Sequence, residues 1–354
     1  MTLQSIQILR LALGSWAAVG LAYAAAWPMY FIMPVFTTAF LSMPIPWFGW
    51  KMAGQLLYRL AFSLLIGLII SEVLLDFPFL CILVYGLLFF FIYYHDTPSA
   101  PPMAVLFMTL GITIVPIMGL QSSLGSHIIA TGLFFNMALG LILTWLFHGL
   151  FPNSMAKFPA SGPVQKPPVP ALAQAVVPKQ ERARLAFVST LVALLAIVIF
   201  FSLNLSQYTL AMIQICFMAS SPGTNSSIQA MKGNALATVI GGIAIIIAFN
   251  LLVAVPAYFF LLTVTLYFSF LFARQIFSGK PLAKAFGSGF ITFLVLIGSS
   301  TGVDQVASAN FYLRIAQILF AGLFSVAALI LVEHLLRPGR KFRFFPLPFP
   351  LIKK

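Results

Sequence analysis

Charge is scarce in this chain. Asp, Glu, Lys and Arg make up only 7% of its 354 residues, against about 25% in an ordinary soluble domain. That shortage excludes a cytosolic enzyme and a disordered regulator, since both need a charged, solvated surface. Cysteine is nearly absent too. Cys81 and Cys216 each lie inside an apolar run, where a disulfide framework is excluded and a small core residue is the natural reading. The four histidines, His95, His127, His148 and His334, lack metal-ligand spacing such as H-E-x-x-H. There is no G-x-S-x-G elbow, no H-x4-D pair and no Walker A loop, so the residues for hydrolysis, acyl transfer or ATP use are missing. The chain reads as a non-enzyme without cofactor or metal.

What it has is hydrophobicity: 61% of the residues, with a mean hydropathy of +1.06. A membrane helix needs about 20 mostly apolar residues, and a dozen fit here. Apolar segments run at 8–27, 29–43, 53–75, 77–95, 102–120, 127–150, 184–203, 207–220, 230–254, 256–275, 285–300 and 310–336. Between the sixth and seventh lies 151–183, which carries Pro152, Pro159, Pro163, Pro167, Pro168, Pro170 and Pro178. Such density makes an extended, semi-rigid tether. The expected organisation is an all-α polytopic membrane protein: a first six-helix unit at 1–150, a Pro-rich linker at 151–183, a second six-helix unit at 184–338 and a basic tail at 339–354.

The charge balance of +13 does not signal nucleic acid, because the Lys and Arg are dispersed between apolar segments rather than gathered on a solvated face. They follow the positive-inside rule. With the N-terminus cytoplasmic, every Lys and Arg except Arg314 falls on the inner side, and Glu72, Asp76 and Asp304 fall on the outer. Both termini and the linker are thus expected in the cytoplasm. Ala22-Tyr23-Ala24 resembles a leader cleavage site, yet Arg10-Leu11-Ala12 is echoed mid-chain by Arg184-Leu185-Ala186, so the first span is read as structural.

That echo belongs to a series. Leu41-Ser42-Met43-Pro44 answers Ala219-Ser220-Ser221-Pro222, and Pro78 answers Pro256 at the same spacing. Arg59, Ser63 and Gly67 answer Asn234, Thr238 and Gly242, and His148…Pro152 answers His334…Pro338. Six spans per copy is an even number, so the repeat is parallel and a substrate path is expected between the copies.

The Arg-Leu-Ala entries, the short second and eighth spans, and the Arg/Asn-x3-Ser/Thr-x3-Gly stretch of the third and ninth together resemble the fusaric-acid-resistance-like (FUSC) superfamily. Aromatic carboxylic acid exporters belong there, and aluminium-activated malate channels are distant relatives. The resemblance implies secondary efflux of organic, especially aromatic, acids or drugs across a bacterial inner membrane, with a periplasmic membrane-fusion adaptor as a partner beside the lipid bilayer. The chain departs by lacking large cytoplasmic domains and by carrying Asn234 where the first copy has Arg59. A passive organic-anion channel is a rival reading, and a non-transporting scaffold for an envelope assembly is another.

Short or interrupted spans point to a transporter's site. In the second span these are Pro34, which removes a backbone hydrogen bond, with Thr37 and Thr38. In the eighth they are Gln214, Ser220 and Ser221, leading into a helix N-terminus that favours an anion, with Lys232 in or just beyond its opening turn. Arg59 stands in an apolar stretch, where a charge costs about 2.5–3.5 kcal/mol at mid-helix on insertion scales. It either faces a ligand carboxylate, for which its planar fork is suited, or snorkels to the interface. Asn234 could bond the same ligand. His95-Asp96 at the end of the fourth span is either a proton relay or a solvated helix end. Glu72 and Asp76 read as an exposed outer loop. The 37 phenylalanines read as packing and lipid contact rather than as a cage.

Overall fold

With water excluded, each backbone N–H and C=O must be bonded internally, and helices do this within one segment. The computed structural model describes residues 2–43, 49–96, 102–153, 179–203, 205, 209–219, 224–280 and 282–300, with short stretches between 320 and 332. Among them every regular element is a helix. In order these are α1 (Leu3–Ala25), α2 (Ile32–Leu41), α3 (Trp50–Ile69), α4 (Pro78–Phe91), α5 (Pro102–Gly119), α6 (Ser123–Leu150), α7 (Lys179–Ser202), α8 (Thr209–Ala219), α9 (Thr224–Ala254), α10 (Tyr258–Ile276) and α11 (Ala283–Ser300). Helices α3 and α4 run on into one-turn π-helical segments, Ile70–Leu74 and Ile92–Asp96. Where described, the stretch from 320 to 332 is helical, with Phe320 against Phe200 and with Ala328 and Val332 in a core built by α4, α5, α7 and α8.

Among the described residues seven helices are long and apolar enough to cross a membrane: Leu3–Ala25, Trp50–Leu74, Pro78–His95, Ser123–Leu150, Arg182–Ser202, Leu236–Ala254 and Tyr258–Ile276. The chain is an all-helical, multi-pass membrane protein. Three more apolar helices are shorter: Ile32–Leu41, Val105–Gly119 and Ala283–Gly298. The expected second and eighth spans fold as α2 and α8, which rise only about 15–17 Å at 1.5 Å per residue, half of the roughly 30 Å of hydrocarbon. Two boundaries differ from expectation. Helix α7 begins at Lys179, so the last residues assigned to the linker are helical. Helix α9 begins at Thr224, so its free N–H groups belong to Thr224–Ser227 and Lys232 lies in its third turn rather than near its opening.

Contacts at the helix ends fix directions. Gln4 donates to the Phe277 carbonyl at 2.8 Å, and Tyr258 donates to the Gly20 carbonyl at 2.7 Å, so α1 and α10 are antiparallel. Thr38 of α2 donates to Ser15 of α1 at 2.7 Å. The Trp50 and Trp145 rings meet at 3.8 Å, and Ser123 donates to Glu72 at 2.7 Å, so α3 and α6 are antiparallel. One end of the bundle therefore gathers Lys51, Arg182, Arg184, Arg274 and Lys284, while Glu72 and Asp76 lie at the other.

Helices α3 and α5 run parallel and nearly touch. A Cβ on Gly67 would stand 2.5 Å from the Gly111 carbonyl oxygen, and one on Gly111 would stand 2.6 Å from the Ser63 carbonyl carbon. Helices α9 and α11 meet in the same way, with a Cβ on Gly241 falling 2.4 Å from the Gly289 carbonyl oxygen. Small residues let membrane helices approach this closely, and van der Waals packing replaces the hydrophobic drive that lipid removes. Contacts elsewhere also come in matched sets: α1 on α10 and α4 on α7, α2 on α11 and α5 on α8.

Prolines divide by position. Pro34 is in the first turn of α2, where no intrahelical bond is lost, and the Tyr30 carbonyl accepts from the Met33 N–H at 3.3 Å. The freed carbonyl expected at Pro34 is therefore occupied locally. It is Pro116, inside α5, that strips a donor from the helix. The carbonyl so freed, Ile112, accepts the buried Tyr85 hydroxyl of α4 at 2.8 Å. Tyr93, two turns on, donates to the Cys216 carbonyl at 2.6 Å in the last turn of α8, one of the orphan acceptors at a helix C-terminus.

Candidate functional site

Arg59 lines an open recess of about 350 Å³ beside the α3–α5 crossing, together with Gln55, Tyr58, Phe62 and Met108. Helix periodicity brings Gln55, Arg59 and Phe62 to one side of α3, and Met108 closes the recess from α5. Arg59 is half-buried, Met108 is buried, and Tyr58 and Phe62 are exposed with their rings 6.1 Å apart and nearly parallel. Arg59 stands roughly 13 Å along the helix from Trp50 at 1.5 Å per residue. The arrangement offers a guanidinium, an amide and a phenol above an apolar wall. Such a set can hold a carboxylate bidentately and an apolar or aromatic body beside it.

Of the other expected residues whose side chains are described, none lines this recess. Pro34, Thr37 and Thr38 belong to α2, which packs against α1, α6 and α11. Thr37 donates to the Met33 carbonyl at 3.0 Å and Thr38 to Ser15, and both are fully buried. The Thr37 hydroxyl is answered within α2, and that of Thr38 ties α2 to α1. Gln214 lies on α8, and Lys232 and Asn234 lie on α9, with side chains outside the described residues; Ser220 and Ser221 fall outside them altogether. His95 ends α4 in the π-helical segment, exposed, with its ring 4.7 Å from Phe91 and 5.3 Å from Tyr94. The Asp96 side chain is outside the described residues.

Three polar constellations escaped the sequence reading. Arg10 is 3% exposed and donates to the Asn153 side chain just past the end of α6, where a helix C-terminus favours a cation. Arg182 does the same at the end of α4, donating to the Tyr94 carbonyl at 2.7 Å with its guanidinium 4.7 Å above the Tyr94 ring. Glu72 accepts from Ser123 and lies 3.4 Å from His127 Nε2. No local spacing signals these pairs, because each joins two helices far apart in sequence. Pro116 did carry a signal: a mid-span proline demands a donor for the freed carbonyl. At the Glu72 end a second recess, about 440 Å³, lies between Tyr23, Tyr30 and Tyr258 over an apolar floor from α9 and α10. Among the described residues no group of three His, Cys, Asp or Glu gathers as a metal site would require.

Residues 7–147, less than half of the chain, match the model of a family described as a protein of unknown function, DUF2955. The match runs from within α1 to the last turn of α6. No curated protein and no solved structure matches the chain.

Proposed function

We propose that the chain is a secondary exporter of organic acids, aromatic ones above all, and that Arg59 receives the acid group. The observation that carries this reading is the recess itself. A guanidinium deep in an apolar helix, flanked by an amide and by two aromatic rings, matches the two ends of an aromatic carboxylate. The similarity of the Arg-Leu-Ala entries and paired short helices to FUSC exporters agrees with it. On this reading the basic end faces the cytoplasm of a bacterial inner membrane, both termini are inside, and the lipid bilayer and a periplasmic adaptor are the partners.

The exporter is further proposed to be a twelve-helix duplication with its path between the two copies. Support comes from the matched glycine crossings, the matched interhelical contacts, and the buried faces of α1 and α7. Ala12, Ser15, Val19 and Ala22 are buried in one, and Ala186, Ser189, Ala193 and Ala196 in the other. Aligned on the crossing glycines, Gly67 answers Gly241, and the same count back from each pairs Arg59 with Gly233 rather than with its neighbour Asn234. One copy then carries the cation, so a single acid group is bound per transporter.

A carboxylate-binding assay on purified protein in nanodiscs, with 4-hydroxybenzoate as probe, tests the reading. Arg59→Lys keeps the charge and loses the fork. Hydrogen bonds to charged groups are worth about 1.5–3 kcal/mol, so affinity should fall roughly 10- to 150-fold, and Arg59→Gln should fall further. An arginine that merely snorkels predicts free substitution by Lys. Wild-type affinity in Arg59→Lys would remove Arg59 from the site. Movement of the probe only down its own gradient would favour the channel.

A further inference from the structure

Among the described residues the end of the bundle remote from Arg59 holds few titratable groups, and two of them face each other. Glu72 of α3 and His127 of α6 are 3.4 Å apart, each partly open to solvent, and Ser123 donates to the same carboxylate oxygen at 2.7 Å. Glu72 sits in the π-helical segment Ile70–Leu74, where the Leu75 N–H reaches back to the Ile70 carbonyl at 3.1 Å. Such one-turn insertions mark places where a helix can change register, and they are frequent at functional sites. Beside Glu72, the buried hydroxyl of Ser71 has no partner among the described residues and lies against α5 at Gly119, where a Cβ would meet it at 1.9 Å. The segment is thus a π-helical joint, packed closely on α5, that continues the helix carrying Arg59.

We propose that Glu72 and His127 form the proton-binding site that drives transport, an inference that rests on the exporter reading. The proton comes from water at the Glu72 end. It is taken up by a ring nitrogen of His127 or by the carboxylate of Glu72, and it is released to water at the opposite, basic end as the cycle closes, so that one proton crosses the membrane per cycle. With one proton between them, an imidazolium faces a carboxylate and α3 is tied to α6. Without it, the carboxylate meets a neutral ring and keeps only the Ser123 hydroxyl. With a second, the carboxylate is neutral and the tie is lost. Each change alters how firmly α6 holds the π-helical joint, and α3 transmits that change along its axis to Arg59.

Among the described residues the other titratable groups near the pair are few. Asp76 follows Glu72 by one turn on the same strand of chain, and α4 brings Cys81, which is buried. Helix α5 brings no titratable side chain, and α6 brings only His127 at this end.

The test uses the full chain in proteoliposomes with labelled 4-hydroxybenzoate. Two fluxes are read: accumulation driven by an imposed pH gradient, and exchange at equal pH on both sides. Glu72→Gln and His127→Gln should each lose gradient-driven accumulation while keeping exchange. Glu72→Asp should recover part of the accumulation, and Asp76→Asn should keep both fluxes. Gradient-driven accumulation at wild-type level in Glu72→Gln or in His127→Gln would overturn the proton site and leave the exporter reading intact. Loss of exchange together with accumulation in both Gln variants, at wild-type levels of folded protein, would make the pair part of the path and overturn the coupling role. Absence of any Arg59-dependent flux in the wild type would overturn the exporter reading and this inference with it.

Discussion

The crossing of α3 with α5 and that of α9 with α11 are built alike and equipped differently. Each is a parallel pair in which a glycine meets the backbone of another glycine, Gly67 on Gly111 and Gly241 on Gly289. In the first, Ser63 adds a hydrogen bond to the Phe107 carbonyl at 2.9 Å, shared with Leu60. The second has Ala237 at the corresponding contact, where its carbonyl oxygen lies 3.0 Å from a Cβ placed on Gly289. The first also contains Pro116 and its tyrosine partner, whereas α11 has no proline. Packing is common to both crossings, while the mid-helix proline and the tyrosine that answers it belong to the first. Close approach needs only small residues, so it tolerates divergence elsewhere. A buried hydrogen bond or a charge needs a specific partner, and it marks the crossing at which the helix does more than pack.

The largest effect is expected where the comparison is most symmetrical. Gly67→Ala and Gly241→Ala each put a methyl inside contact distance of a carbonyl oxygen, and overpacking of this kind costs about 1–3 kcal/mol. Both variants should lose thermal stability in detergent by similar amounts. A tolerated Gly241→Ala beside a damaged Gly67→Ala would show that the two crossings are not equivalent.

Tyr85→Phe should break the symmetry from one side only. It leaves the Ile112 carbonyl buried without a donor, a loss of about 1–3 kcal/mol. The double variant Tyr85→Phe with Pro116→Ala restores the intrahelical N–H, so it should recover much of that stability. Failure of the second change to compensate would mean that the tyrosine acts by packing alone. Ser63→Ala is the mildest test. It removes the hydroxyl that bonds the Phe107 carbonyl across the first crossing, and it should cost about 0.5–1.5 kcal/mol of unfolding free energy.

Much of the fold was legible because hydropathy is a local sum. Segments such as 53–75 and 127–150 fold as membrane-length helices, and the short second and eighth segments fold as α2 and α8. The recess around Arg59 was half legible. A charge in an apolar helix announces itself, but Gln55 and Met108 enter only when α5 is laid against α3. Thr37 and Thr38 show the converse. Their polarity reads equally as a ligand contact or as internal bonding: Thr37 meets the carbonyl one turn back and Thr38 the Ser15 hydroxyl of α1, and sequence does not separate the two uses.

By itself the sequence determined that the chain is a multi-pass helical membrane protein, that α2 and α8 are too short to cross, and that cations such as Lys51, Arg182, Arg274 and Lys284 share one end. These follow from counts within a window and from the alternation of helix direction. Only the tertiary structure decided which donor answers the Ile112 carbonyl, which cation lies buried at the end of α6, that His127 faces Glu72, and which glycines touch. Each of those joins residues on different helices, and in a bundle where nearly every face is apolar, hydropathy cannot say which face meets which. Steric fit and the demand that every buried polar group find a partner make that choice.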